Sequence, residues 1–92
     1  MTVEDLVKNL KLKKSDFVKD SKRYLYTIKD SNEFSHLYNI CDSMENMEED
    51  LDNQDIDLDF QQVTFVDVDG GVECDLYADF DADEYQLIIT EV

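Results

Sequence analysis

Apolar and acidic residues alternate between Val72 and Asp81, and this alternation constrains the fold more than any other feature of the sequence. Successive side chains of a β-strand point to opposite faces of a sheet. The apolar residues of the segment then share one face: Val72, Cys74, Leu76, Ala78 and Phe80. The carboxylates and one tyrosine share the other face: Glu73, Asp75, Tyr77, Asp79 and Asp81. We therefore expect a strand with one face in an apolar core and one face of carboxylates.

A period of two recurs over most of the C-terminal half of the chain. Four segments contain alternating or continuous apolar residues: Ile56–Phe60, Val63–Val68, Val72–Phe80 and Tyr85–Val92. Short strands joined by tight turns produce this pattern. We therefore expect three or four antiparallel strands after residue 56.

The turn at Gly70 and Gly71 determines which side chains of its two strands share a face. A two-residue turn would put three residues of the first strand with the carboxylates: Thr64, Val66 and Val68. A three-residue loop with a glycine bulge would put the same residues with the apolar side chains. We favour the three-residue loop, because it brings Asp67 and Asp69 onto the carboxylate face and makes that face continuous.

The N-terminal segment predicts one short helix and one short strand. Thr2 is in position to cap the helix, and Glu4 and Asp5 suit its first turn. The apolar stripe of this helix is Val3, Leu6, Val7 and Leu10. The β-branched and aromatic residues of Tyr24–Ile28 then favour a strand.

A second helix is predicted from Asp30 or Ser31 to about Leu51. Glu33 closes a capping box if Asp30 is the cap. The apolar stripe of this helix is Phe34, Leu37, Cys41, Met44 and Leu51. Acidic residues crowd its C-terminal end, where the helix dipole is negative and prefers cations. Such a conflict indicates either a frayed, solvated end or a functional acidic patch, whose members would be Glu45, Glu48 and Glu49.

Together these elements predict one α+β domain over residues 1–92. Two helices are expected to pack on one face of a three- to five-stranded, mainly antiparallel sheet. Residues 1–29 hold all eight Lys and Arg side chains and four carboxylates, whereas residues 30–92 hold 20 carboxylates. The net charge is −16. Because ordinary soluble domains intersperse both signs, this segregation favours a function for the acidic region.

The expected acidic face presents negative charge at a density comparable with that of a nucleic-acid backbone. Alternate carboxylates of a strand lie about 6.6 Å apart and neighbouring strands about 4.8 Å apart, while duplex DNA carries about one charge per 1.7 Å of axis. The face is therefore expected to occupy a basic groove, with Tyr77 as an aromatic anchor. The expected contacts are Asp57, Asp59, Asp67, Asp69, Glu73, Asp75, Tyr77, Asp79 and Asp81. The alternative is a face that is merely solvated.

Residues that would support catalysis or metal binding are sparse. His36 and Cys41 lie on different sides of the second helix, so they form no nucleophile–base pair, and we expect no enzymatic activity and no cofactor. DxDxD runs begin at Asp55 and Asp79, but neither has the glycine and glutamate that complete an EF-hand loop. No dedicated metal site is expected, and a divalent-cation-binding module is the third interpretation of the chain.

The basic segment between Lys8 and Lys29 lies next to a much larger negative charge, which opposes binding to nucleic acid or to a membrane. We expect these bases to contact the protein's own acidic surface or that of a second copy, which allows a homodimer. The sequence has no apolar stretch long enough to cross a membrane and no secretory leader. This predicts a cytoplasmic location.

The size of the chain, its acidic residues 45–52 and its alternating segments 55–59 and 67–83 resemble a known class of proteins. These are the small acidic inhibitors that phages and mobile elements use against host defences, including anti-CRISPR proteins, anti-restriction proteins and uracil-DNA glycosylase inhibitors. The resemblance implies occlusion of the groove of a basic nucleic-acid-binding protein or nuclease complex, in competition with DNA. The second interpretation is an acidic adaptor or structural subunit that recognises its partner through apolar contacts.

Overall fold

The computed structural model describes residues 1–50 and 60–91. Within them the chain forms two α-helices, one 3-10 helix and six strands. In chain order these are α1 (Val3–Asn9), the 3-10 helix (Lys14–Asp16), β1 (Val18–Asp20), β2 (Arg23–Ile28), α2 (Ser31–Ser43), β3 (Met47–Asp50), β4 (Phe60–Asp67), β5 (Val72–Asp79) and β6 (Glu84–Glu91). The α+β class and the antiparallel sheet are confirmed. The sheet has six strands rather than three to five.

The six strands form one sheet in the order β1-β2-β6-β5-β4-β3, and every neighbouring pair is antiparallel. The last strand, β6, lies between β2 from the basic segment and β5 from the acidic one. The N-terminal strand β2 and the acidic strand β5 are therefore joined through β6. The two additional strands, β1 and β3, lie at the two ends of this order.

One apolar core joins both helices to one face of the sheet. From α1 it contains Val3, Leu6 and Val7, and from α2 it contains Phe34, Leu37 and Cys41. Strands β4, β5 and β6 contribute Val63, Phe65, Val72, Cys74, Leu76, Ala78, Tyr85, Leu87 and Ile89. We call the face that carries these strand residues the core face and the opposite one the outer face. The longest helix has 13 residues, and no helix of the described residues has the length and apolar character that a membrane crossing requires.

The predicted helix starts are confirmed. The Thr2 hydroxyl accepts the amide hydrogen of Asp5 at 3.2 Å, and the Asp5 carboxylate accepts that of Thr2 at 3.4 Å. The Asp30 carboxylate accepts the amide hydrogen of Glu33 at 2.9 Å and so caps α2. The expected capping box at α2 is wrong, because the Glu33 carboxylate accepts from the amide of Lys29 at 3.1 Å rather than from that of Asp30, and it also accepts from the hydroxyl of Tyr26 at 2.7 Å. It therefore ties the start of α2 to β2.

The predicted extent of α2 is wrong. The helix ends at Ser43, and Met44 is extended with ψ of 127°. The next residues form β3, in which Glu48 pairs with Val66 and Glu49 with Phe65. A strand puts these two carboxylates on opposite faces, whereas a helix would have gathered them at its negative C-terminal end. Strand pairing thus avoids the like-charge crowding that the helix would have created.

The predicted three-residue loop between β4 and β5 is also wrong. Four residues, 68–71, connect the strands, and Thr64 pairs with Asp75 and Val66 with Glu73. An even number of connecting residues keeps the face assignment of a two-residue turn, so Thr64 and Val66 share the outer face with the carboxylates. Asp67 lies instead on the core face.

Asp67 is buried, with 2% of its surface exposed. One of its carboxylate oxygens, Oδ2, lies 2.8 Å from the N-terminal ammonium of Met1. The other, Oδ1, accepts the amide hydrogen of Asp69 at 3.0 Å. The ammonium and then the Asp69 amide hold the pKa of Asp67 below its ordinary value, and the same carboxylate raises the pKa of the Met1 amine. A buried acid of the sheet is thus neutralised by the start of the chain.

Replacing Asp67 with asparagine is expected to lower the thermal midpoint by several degrees near neutral pH, because the Met1 ammonium loses its partner. The carboxylate stabilises the fold above its ordinary pKa of 3.8, and this contribution disappears as the pH falls through the lowered value. The amine stabilises the fold below its ordinary pKa of 8.0, and this contribution disappears as the pH rises through the raised value. Thermal unfolding followed by circular dichroism should therefore show the largest difference from wild type between about pH 4 and 8.

The control is Asp69→Asn, which removes an exposed carboxylate from the same turn and should change the midpoint little. Equal losses in the two variants, or a loss that does not vary with pH, would contradict the ion pair.

Gly71 is expected to be the more sensitive of the two turn glycines. It has φ of +123°, and a Cβ there would lie 2.8 Å from the Met1 carbonyl oxygen. Gly70 has φ of +83° and open space around the same position. Gly71→Ala should lower the free energy of unfolding in urea by about 1 to 3 kcal/mol. Gly70→Ala should cost about 1 kcal/mol for the backbone conformation alone, and equal costs would argue against close docking of Met1.

Candidate interaction surface

The outer face of β5 carries three half-buried carboxylates and one half-buried tyrosine at alternate positions. They are Glu73, Asp75, Tyr77 and Asp79, and we call them the β5 ridge. Their burial alternates along the strand with that of the core residues, as the sequence predicted. β5 is therefore both the centre of the core and the carrier of the acidic surface.

Cross-strand hydrogen bonds from β4 hold two side chains of the ridge. Thr64 lies opposite Asp75, and its hydroxyl donates to the Asp75 carboxylate at 2.6 Å. Gln62 lies opposite Tyr77, and its amide nitrogen donates to the Tyr77 hydroxyl oxygen at 3.3 Å. Both bonds run along the sheet surface. The ridge thus presents pre-oriented groups rather than freely rotating side chains.

The hairpin between β5 and β6 places another carboxylate, that of Glu84, beside the ridge. Asp79 lies directly opposite Glu84. One oxygen of Asp79 accepts the amide hydrogen of Ala82 at 3.2 Å and so stabilises the turn. Glu84 is exposed. The carboxylates of Asp79 and Glu84 are therefore two like charges at directly paired positions of β5 and β6.

A surface depression of about 630 Å³ lies at this end of the outer face. Its lining includes Tyr77, Asp79, Glu84 and Lys29. Burial and then the charge of Asp75 raise the pKa of Tyr77, which keeps the phenol neutral and able to donate or accept hydrogen bonds. An aromatic ring beside two carboxylates suits the side chain of a partner's Arg or Lys.

An apolar row crosses the other half of the outer face. Val18 of β1 lies opposite Leu25 of β2, and Leu25 lies opposite Ile88 of β6. Val18 is 67% exposed, and the other two are half-buried. Ile88 in turn lies opposite Asp75. We call Val18, Leu25 and Ile88 the apolar row. One end of this row, Ile88, is therefore next to Asp75 of the β5 ridge.

The apolar row was not predictable from the sequence. Its members come from three strands, and each is a single apolar residue among polar neighbours on its own face. Only the pairing of β6 with β2 brings them together. Val18 stands between Phe17 and Lys19 in the sequence, and this local pattern does not indicate a strand with an apolar outer face.

The predicted contact residues are dispersed by the fold. The outer face carries Glu48, Glu73, Asp75, Tyr77 and Asp79. Glu45, Asp69 and Asp81 are exposed in connections between elements. Asp67 is buried beneath the N-terminus, so its assignment to the acidic surface is wrong. Asp57 and Asp59 lie outside the described residues.

Glu49 also lies away from the outer face, on the side of α2. Its carboxylate accepts the Tyr38 hydroxyl hydrogen at 2.7 Å. This bond, together with burial, raises the pKa of Tyr38 to about 12. Glu49 therefore links β3 to α2, and the expected patch of Glu45, Glu48 and Glu49 is divided among a loop and two faces.

The basic side chains lie mainly around the β1 end of the sheet. Lys14 contacts Glu4 at 2.6 Å, and the ammonium groups of Lys14 and Lys19 both lie 5.5 Å from the ring centre of Tyr24. Arg23 is on the outer face opposite Thr90, which is opposite Glu73. These bases lie on the β1 and β2 side of β6, whereas the carboxylates of the β5 ridge lie on its other side.

Among residues 1–50 and 60–91, no group of three or more His, Cys, Asp or Glu side chains is arranged to hold a metal ion. His36 is exposed on α2, whereas Cys41 is buried beside Cys74. Comparison of the chain with protein-family models, with curated proteins and with solved structures found no match. The charge and geometry of the outer face are therefore the basis for a function.

Glu84→Gln is expected to stabilise the protein, because it removes the like charge opposite Asp79. Directly opposed like charges on a sheet cost about 0.2 to 1 kcal/mol, and urea unfolding at low salt should show a gain of this size. The gain should shrink as salt screens the pair. Glu48→Gln is the matched control, because it makes the same change in net charge opposite an apolar residue, Val66. An equal gain from both variants would assign the effect to net charge.

Proposed function

We propose that this protein is an inhibitor that binds the basic nucleic-acid groove of a host-cell protein, either a defence nuclease or another DNA- or RNA-binding protein. The β5 ridge would occupy the positions of backbone phosphates. The observation that carries the proposal is a row of carboxylates on one strand with no basic residue among them. The resemblance to acidic phage and mobile-element inhibitors supports the same class of function.

The spacing of the ridge suits this role. Alternate residues of a strand are about 6.6 Å apart, which is close to the separation of successive phosphates on one nucleic-acid strand. Lys and Arg side chains of a groove that binds phosphates can therefore pair with Glu73, Asp75 and Asp79 in turn. The cross-strand bonds from Thr64 and Gln62 reduce the entropy lost on binding, because two ridge side chains are already ordered.

The net charge of −16 supports fast and selective association with such a partner. A surface of one sign attracts an oppositely charged groove over distances near the Debye length and repels nucleic acid and acidic proteins. The proposed contact set has the β5 ridge at its centre and Glu84 beside it on β6. Glu48 lies two strands away on β3, beyond Val66. Tyr77, next to the depression, remains the proposed anchor for a partner's Arg or Lys.

The apolar row supports a second candidate, an acidic adaptor that binds mainly through Val18, Leu25 and Ile88. Three neighbouring apolar side chains on a sheet face are a usual component of the core of an interface. Burial of apolar surface depends little on salt, whereas pairing of exposed charges is strongly screened. Salt dependence therefore separates the two candidates.

The immobilised protein should capture a nucleic-acid-binding protein from host lysate at about 0.1 M salt and lose it at about 0.5 M. Mass spectrometry identifies the captured protein. The purified partner is then tested for binding to duplex DNA and to RNA with increasing amounts of inhibitor, and we expect competition with one of them. Capture that persists at high salt without competition would instead support the adaptor.

Reversing the charge of two ridge residues, in Glu73→Lys/Asp79→Lys, should weaken inhibition by about tenfold or more, since it puts two cations against a basic groove. Both side chains lie on the outer face, but Asp79 also accepts the Ala82 amide hydrogen. A modest fall in the thermal midpoint is therefore expected, and inhibition is measured well below it. Among single reversals, Glu73→Lys should weaken inhibition, while Asp42→Lys, on the exposed side of α2, should not. If the folded double variant inhibits as well as wild type, the ridge is not the contact surface.

A further inference from the structure

Two cysteines from different layers meet in the core. Cys41 of α2 and Cys74 of β5 are 33 residues apart in the sequence, and their Sγ atoms are 3.7 Å apart. Both thiols are free and have no exposed surface. A disulfide bond is about 2.05 Å long, so the two sulfur atoms need to approach each other by about 1.7 Å to form one. The proposed role of the outer face makes no use of this pair.

We propose that Cys41 and Cys74 are a disulfide-forming pair, which a small-molecule disulfide such as oxidised glutathione converts into a covalent link between α2 and β5. One thiol loses its proton, and the resulting thiolate attacks the glutathione disulfide. A mixed disulfide forms, and one reduced glutathione leaves and takes the proton. The second cysteine, as thiolate, then attacks the protein sulfur of the mixed disulfide. The Cys41–Cys74 bond forms, and a second reduced glutathione leaves with the second proton.

The surrounding core favours closure of this bond over other reactions of the same thiols. Phe34 and Leu37 hold α2 against the sheet, and Cys74 lies between Leu76 and Val72 on the core face. The two sulfur atoms therefore face each other at a high effective concentration in the folded protein, whereas in the unfolded chain they are separated by a long flexible loop. Folding and disulfide formation should reinforce each other.

The Cys41–Cys74 disulfide is expected to form slowly, even though the equilibrium favours it. Hydrogen bonding with Cys41, together with burial, raises the pKa of Cys74, and neither sulfur is exposed to a reagent. Reaction therefore requires transient opening of α2, and it should be slow in the folded protein. Once formed, the bond is equally protected from reduction. The pair thus makes a slow, long-lived link rather than a rapid sensor.

The link would act on the strand that carries the candidate surface. Cys74 lies between Glu73 and Asp75, whose side chains point to the outer face. Joining Cys74 to α2 secures the middle of β5 to the helix layer. The inference does not depend on the proposed function, because formation of the bond is measured on the isolated protein.

The test uses the full chain equilibrated with mixtures of reduced and oxidised glutathione, both in native buffer and in denaturing urea. Acid quenching and intact mass then give the fractions of dithiol, mixed disulfide and intramolecular disulfide. We expect the equilibrium constant for the intramolecular bond to be about 30- to 1,000-fold larger in native buffer. The oxidised protein should also melt at a higher temperature than the reduced protein.

Equal or smaller equilibrium constants in native buffer would overturn the proposal, because they would show that the folded geometry opposes the bond. So would a native product that is a covalent dimer rather than an intramolecular disulfide. Cys41→Ser and Cys74→Ser should each give only the glutathione adduct. The comparison of native and denatured wild type remains decisive even if either variant folds poorly.

Discussion

The pairing of β4 with β5 is the constraint on which both surfaces of the protein depend. Its four-residue connection puts Thr64 and Val66 on the outer face and Asp67 on the core face. A connection one residue shorter would exchange every side chain of β4 between the two faces. Buried Val63 and Phe65 would then be exposed. The register is therefore enforced by core packing, and the composition of the outer face follows from it.

This register places the Asp67 carboxylate on the core face, and the N-terminal ammonium of Met1 neutralises its charge. The Met1 ammonium lies against Asp67, and the close approach of the Met1 carbonyl to Gly71 leaves no room for a Cβ. The turn at Gly71, the buried Asp67 and the first residue, Met1, are therefore packed against one another. A glycine at this position, which the sequence alone assigns only to a turn, also serves to admit the first residue of the chain.

The parts of the fold that were predictable from the sequence are those set by local rules. The cap at Thr2, the start of α2 near Asp30 and the alternation along β5 each involve residues within a few positions of one another. The end of α2 and the β4–β5 connection were not predictable in this way, because pairing with a distant strand decided both. Met47 keeps helical spacing with Met44, yet its segment pairs with β4. For the same reason, the acidic ridge on β5 was predictable, whereas the apolar row and the burial of Asp67 were not.

The segregation of charge in the sequence becomes a segregation across the sheet. Lys14, Lys19 and Arg23 lie near β1 and β2. The carboxylates of the β5 ridge lie on the other side of β6. Between these groups β6 presents the uncharged side chains of Gln86, Ile88 and Thr90 to the outer face, and its first residue, Glu84, adds a carboxylate beside Asp79. The molecule therefore has a strong electrostatic polarity, which orients it as it approaches a charged partner. A basic groove would meet the ridge first, and the apolar row would then lie at the edge of the contact.

The two faces of β5 make it possible to separate stability from recognition. Its core-face residues are completely or almost completely buried, while its outer-face residues are only half-buried. Substitution of the outer residues removes little apolar contact, so a loss of binding there can be assigned to charge rather than to unfolding. Substitution of Cys74 or Leu76 acts through the core. A single strand thus carries both properties, and the alternation of its side chains keeps them independent.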